Sequence, residues 1–237
     1  MKSSAVVDGG PLLRGARPRA VAAIGGAGFA VCMVAGALLS GGTLAYLPPA
    51  DEIVAAYARD TARILIGTYV LCFGALLLVV HSVGVRDMLG NAAGRPGTLG
   101  SLAVAGGSIA AALIIVGAST TFAGTERAAA TGIPEGAAVA LSDLNGVVLG
   151  KAFPMSFALL VGATAVAAWQ SQLLPRWLTW ASALLTVGLV SPFMWAFVVL
   201  VVVWAPLVGF LLGRSGSLVR IVDRSAATRR PKVGSTG

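Results

Sequence analysis

ILIGTYVLCFGALLLVVHSVGV, residues 64–85, runs 22 positions without an Asp, Glu, Lys or Arg. A helix rises 1.5 Å per residue, so the hydrocarbon core of a bilayer, about 30 Å thick, takes roughly 20 helical residues to cross. This run therefore predicts a membrane span. Outward from it the same absence of charge recurs at residues 20–50, 96–125, 152–175 and 177–213. The last run would be about 55 Å long as one helix, too long for the slab at ordinary tilt. Ser191-Pro192 near its middle offers a break. It is read as two spans, about 177–190 and 193–213, with a single kinked helix as the competitor. The expectation is an all-α, polytopic transmembrane helical bundle of six spans.

Composition points the same way. Hydrophobic residues make up 57% of the chain and charged residues 11%, against roughly 25% charged in a soluble domain. The 31 glycines would weaken soluble helices, but glycine is common in transmembrane helices, where it lets backbones approach. The net charge of +8 raises the question of nucleic acid. The basic residues flank apolar runs and form no patch interleaved with aromatics, so membrane topology accounts for them and no nucleic-acid partner is expected.

The same residues set the direction of the spans. Lys2, Arg14, Arg17, Arg19, Arg86, Arg95, Arg176 and the six basic residues from Arg214 to Lys232 fall on one side, 13 in all. Arg59, Arg63, Arg127 and Lys151 fall on the other. The positive-inside rule places the 13 in the cytoplasm and with them both termini. Residues 1–19 then form a basic cytoplasmic segment, 20–213 the six-helix domain and 214–237 a basic, disordered cytoplasmic tail. The first span is read as retained: its apolar stretch exceeds the 7–15 residues of a signal peptide, and Thr43-Leu44-Ala45 is a poor cleavage site.

Two connections are long enough to hold structure, and both are predicted outside. In residues 51–63, Asp51 and Glu52 suit the positive end of a helix dipole, so span 2 is expected to begin as a helix beyond the membrane. Asp60 and Arg63 are spaced to pair on one face. In residues 125–151, Gly132-Ile133-Pro134-Glu135 is a start signal for a helix over 136–150. Asp60, Arg63, Asp143, Asn145 and Lys151 are the candidate site: an outward-facing polar vestibule. The competing reading is solvated interfacial charge, with long side chains snorkelling to water.

Chemical templates are absent. His81 is the only histidine, so neither a bis-histidine haem nor a histidine metal cluster is available, and it is read as an interfacial or helix-packing residue. Cys32 and Cys72 lie in separate apolar runs and read as packing residues. No Gly-x-Ser-x-Gly elbow, His-Glu-x-x-His or Walker loop occurs. Small-xxx-small pairs occur at Gly146 and Gly150, Gly209 and Gly213, Ala37 and Gly41, and Ala158 and Gly162, which suggests tight helix packing. Pro154 and Pro206 mark possible helix breaks, and Trp169, Trp177 and Trp180 surround Arg176 as an aromatic belt.

Three short elements carry a resemblance: Pro49-Ala50-Asp51-Glu52 before span 2; Asp143-Leu144-Asn145 ahead of Phe153-Pro154; and Leu174-Pro175-Arg176-Trp177-Leu178-Thr179-Trp180. The chain resembles a family of six-span membrane proteins common in actinobacteria, over about residues 20–213. The resemblance implies a six-helix fold in a plasma membrane and no particular activity. The expected role is non-catalytic and cofactor-free: association with lipid, with a membrane-protein partner or with further copies of the chain. The alternative is a small-solute or ion transporter or channel subunit using the vestibule. The lack of charge deep in any span weighs against it.

Overall fold

The computed structural model describes residues 11–40, 49–93, 97–172, 174–194 and 196–211. Among them every regular element is helical. In chain order these are α1 (Pro11–Leu39), α2 (Ala50–Arg59), α3 (Thr61–Ala93), α4 (Thr98–Thr131), α5 (Glu135–Val147), a π-helical turn (Val148–Ala152), α6 (Phe153–Ser171), α7 (Arg176–Val190) and α8 (Ala196–Leu211). The expected tail, 214–237, lies outside the described residues, as does most of the basic segment 1–19.

Four helical stretches are long and apolar enough to cross a membrane: Ala20–Leu39, Thr61–Gly90, Thr98–Thr131 and Glu135–Ser171. The last joins α5 and α6 through the π-turn, so the segment expected as a loop helix is continuous with the span that follows. The 177–213 run does break at Ser191-Pro192, giving α7 and α8, both shorter than the four others. Pro206 does not break α8, which runs through it. A proline inside an apolar helix is tolerated where neighbours satisfy the freed carbonyl.

Side chains are distributed inside out relative to a soluble bundle. Small residues such as Ala22, Ala75, Ala103, Ala110 and Ala165 are buried, while Ile24, Val31, Leu38, Ile66, Phe73, Leu184, Val187 and Phe210 are exposed. Water would penalise so large an apolar surface, whereas lipid does not.

The tightest packing is between α1 and α3, which run antiparallel. A Cβ on Gly84 would lie 2.5 Å from the Ala22 nitrogen, and one on Gly25 would lie 2.6 Å from the His81 nitrogen. Further along, Gly74 meets Cys32, and Gly67 would place a Cβ 2.5 Å from the Ser40 nitrogen. From Ala22 to Ser40 on α1 the partner on α3 recedes steadily from Gly84 to Gly67, so the two backbones stay in touch over about 27 Å. Gly106 brings α4 equally close to α6, where a Cβ would lie 2.7 Å from the Leu160 nitrogen. The motif glycine Gly146, by contrast, has open space around it.

α8 packs on the middle of α1. Gly209 packs on the Ala22 carbonyl and Gly26 on the Ala205 carbonyl. In the middle of the bundle Phe157 is enclosed by Phe29, Phe153 and Trp204, with ring centroids 6.1, 5.7 and 5.8 Å away.

Two short helices cap one end. α2 has Asp51 and Glu52 in its first turn and Arg59 in its last, matching both poles of its dipole. Its Ile53 and Tyr57, one turn apart, are buried with Ala138 of α5, and Val54, Ile133 and Val139 pack around them. Each large side chain so buried contributes about 2 kcal/mol to docking in water. Gly132, at φ 78°, makes the turn from α4 into α5, a backbone region open to glycine at little cost.

Candidate functional site: a cleft beneath the α2–α5 cap

Below this cap the adjoining turns of α1, α3, α4 and α5 surround a cleft of about 390 Å³. Its floor is apolar: Met33, Leu71, Ala118 and Leu149. Its mouth is polar, with Arg59, Asp60, Arg63, Ser142 and Asn145. Three of the five residues expected at a vestibule thus share one cavity. Asp143 and Lys151 are exposed and are not part of its lining.

The local chain path explains the placement. Asp60 is the single non-helical residue between α2 and α3 (φ −121°, ψ 35°), and its carbonyl accepts the first α3 hydrogen bond, from the Ile64 N–H at 2.9 Å. The corner thereby turns Arg59, Asp60 and Arg63 toward the same opening. Arg63 does not pair with Asp60 as their spacing suggested. Its Nη2 donates to the Leu38 carbonyl at 2.8 Å. That carbonyl belongs to the last turn of α1, where carbonyls lack helical partners and the dipole is negative, so the guanidinium caps α1. Among the described residues no donor is bonded to the Asp60 carboxylate.

Asn145 reaches the cleft from α5. Its Oδ1 is buried without a hydrogen-bond partner, and it lies so close to Gly117 that a Cβ there would be 2.8 Å from it. Just beyond it the Phe153 N–H reaches back five residues to the Val148 carbonyl, the bond that defines the π-turn. Pro154, next in line, has no N–H to offer the preceding turn.

Tyr57 and Arg59 line the cleft although neither was singled out in the sequence. The signal for Tyr57 was its position four residues after Ile53 on an amphipathic helix. Its ring lies against Gly124, where a Cβ would come within 2.8 Å. Burial pushes the Tyr57 phenol above its ordinary value, so it stays neutral at physiological pH.

A second polar group lies inside the bundle. His81, fully buried, is a packing residue between α1, α3 and α8 rather than an interfacial one. Its Nδ1 donates to the Ala22 carbonyl at 2.8 Å, and its ring meets Trp204 edge-on at 6.2 Å. The Trp204 indole N–H in turn donates to Ser182 Oγ at 2.9 Å. Cys32 and Cys72 are free thiols. Among the described residues no three His, Cys, Asp or Glu side chains gather as a metal site would require.

What the cleft can do follows from this arrangement. It offers cations, an anion and a buried acceptor at its rim and an apolar floor behind them. Among the described residues lining it, the hydroxyls of Ser40, Thr68 and Thr121 donate to backbone carbonyls of their own helices. Phe29, one turn along α1 from the floor residue Met33, stacks on Phe157, which meets Trp204 edge-on in the buried core. Comparison with protein-family models, with curated proteins and with solved structures finds no match for this chain.

Proposed function

We propose that this protein is an integral plasma-membrane protein of six spans with both termini in the cytoplasm. Its role is to bind a membrane amphiphile, without transforming it, in the cleft at its outer end. The observation that carries the binding role is the cleft's two-sided lining: charged at the mouth and apolar at the floor. A purely aqueous solute has no use for Met33, Leu71 and Leu149, and a purely apolar one leaves Arg59 and Asp60 without partners.

The topology has its own support. Among the described residues Arg86 of α3 and Arg176 of α7 lie toward the helix ends away from the cap, and Gly209 near the end of α8 lies on Ala22 near the start of the apolar stretch Ala20–Leu39. An even number of crossings brings two ends together in this way. A transport role draws on the same polar mouth, but among the described residues the lining holds no charged group other than Arg59, Asp60 and Arg63 at that mouth, so binding is favoured.

Two measurements test the proposal. Ala56 of α2 and Ser142 of α5 both line the cleft. Ala56→Trp and Ser142→Trp should each displace the bound amphiphile, so lipid that co-purifies with wild type and is detected by native mass spectrometry falls to background. Unchanged lipid in both variants, with normal size-exclusion profiles, would falsify the binding role. For topology, a reporter fused after Gly237 should read cytoplasmic and one inserted at Gly132 should read outside. A C-terminal reporter that reads outside overturns the six-span arrangement.

A further inference from the structure

We infer that the occupant of the cleft is a phospholipid with a primary-amine headgroup, its phosphate held by Arg59 and Arg63 and its ammonium by Asp60. This rests on the amphiphile-binding reading above and adds the chemical class.

The three charged residues supply the argument. Arg59 and Arg63 flank Asp60 at the α2–α3 corner, and all three line the cleft. Arg63 has one N–H committed to the Leu38 carbonyl, which holds the guanidinium in place and leaves up to four donors. Guanidinium groups match phosphate oxygens in a planar, bidentate way. A headgroup carrying only negative charge satisfies the arginines but meets repulsion at Asp60. A headgroup with a phosphate and an amine satisfies both signs at once.

The type of cation follows from the acceptors. Asp60 has an unbonded carboxylate among the described residues, and Asn145 Oδ1 is buried without a donor. Both call for N–H groups, of which a primary ammonium has three. A choline headgroup has none and is recognised instead by the faces of aromatic rings. Among the described residues the one aromatic side chain lining the cleft, Tyr57, has its ring against Gly124. The floor of Met33, Leu71, Ala118 and Leu149 then receives the upper part of the acyl region, which a free water-soluble headgroup lacks.

The test is a competition on the full-length protein in non-ionic detergent. It is offered equimolar phosphatidylethanolamine and phosphatidylcholine with identical acyl chains, and the adducts are counted by native mass spectrometry. The charged groups are exposed, so the preference is modest: about fivefold for the amine lipid, the upper range for a solvent-accessible charge pair. Asp60→Asn should bring the ratio to one while total phospholipid binding persists. Arg59→Gln should lower both lipids together, and it leaves the α1 cap at Arg63 intact. Glycerophosphoethanolamine, which has the headgroup without the chains, should not displace bound lipid at equal concentration.

A ratio of one in wild type, with binding still lost in Ala56→Trp, overturns the headgroup assignment and leaves the amphiphile-binding role standing. So does a preference that survives Asp60→Asn. Displacement by glycerophosphoethanolamine shows that a soluble headgroup compound is the occupant and overturns the lipid assignment. Binding that neither Ala56→Trp nor Ser142→Trp affects removes the cleft itself, and both proposals fall with it.

Discussion

Gly84→Leu is expected to lower the melting temperature of the detergent-solubilised protein by about 10 °C, whereas Gly146→Leu should leave it unchanged. At Gly84 a Cβ alone would lie 2.5 Å from the Ala22 nitrogen, 2.7 Å from its Cα and 2.9 Å from its Cβ. Two of these atoms are backbone, so no flexible side chain can swing aside, and α1 and α3 must separate. Overpacking of this kind costs about 1–3 kcal/mol. The separation also strains the His81 to Ala22 hydrogen bond of 2.8 Å, and a buried donor left unpaired costs about 1–3 kcal/mol more. A combined loss of about 4 kcal/mol is a large part of the 5–15 kcal/mol by which a typical protein is stable. For a chain of this size it corresponds to about 10 °C. Gly146 meets nothing within 4 Å and serves as the control. Equal melting of the two variants would refute the close α1–α3 contact.

Phe157→Ala should be the next most damaging change, costing about 3 kcal/mol in the same measurement. The side chain is fully buried and touches aromatic rings from three directions. Truncating a buried phenylalanine in a soluble core costs about 3–5 kcal/mol. The low end applies here, because apolar surface released into lipid is not exposed to water. The cavity and the lost aromatic contacts remain, the latter worth about 0.5–1.5 kcal/mol per pair. Leu159→Ala, two residues away and partly exposed on the outer surface, should shift stability by less than about 0.5 kcal/mol. If the two variants melt together, the aromatic layer does not hold the bundle closed.

How far the sequence could be read depended on the kind of signal. Runs without charge located the apolar helices, because leaving a charge in lipid is costly. They marked the apolar stretches rather than the helix ends: α3 continues through Arg86 and Asp87, and α4 through Glu126 and Arg127, since Arg and Glu are good helix formers. The break at Ser191-Pro192 was visible because proline has no N–H to donate. Which glycines make close contacts was visible only in part. Small-xxx-small spacing pointed to Gly209, which packs on Ala22, and to Gly146, which meets nothing, but it did not mark Gly25, Gly67 and Gly84, whose partners are on another helix. A spacing along one helix carries no information about what opposes it.

The site was readable to a similar extent. Polar residues beside the ends of apolar runs picked out Asp60, Arg63 and Asn145, which do share a cleft. Asp143 and Lys151 met the same criterion and sit outside its lining, because nearness to a membrane surface says nothing about angular position on a helix. Arg63 looked like a partner for Asp60 and instead caps α1 at Leu38, a residue 25 positions earlier. No local pattern reveals such a contact.

The π-turn at Val148–Ala152 has a bearing on how this chain tolerates insertions and deletions. Each residue of a regular helix advances the face by about 100°, and a wide turn absorbs one residue beyond the ordinary count. The rod from Glu135 to Ser171 therefore has two independent angular settings. One aims Asn145 at Gly117, and the other aims Phe157 and Ala158 into the core. Removing a single residue within the turn would let it close to an ordinary α-turn with both settings kept, whereas removing one elsewhere along the rod would keep it helical while turning one half against the other by about 100°. The cleft would lose its Asn145 wall or the bundle its aromatic centre, with no loss of helix content.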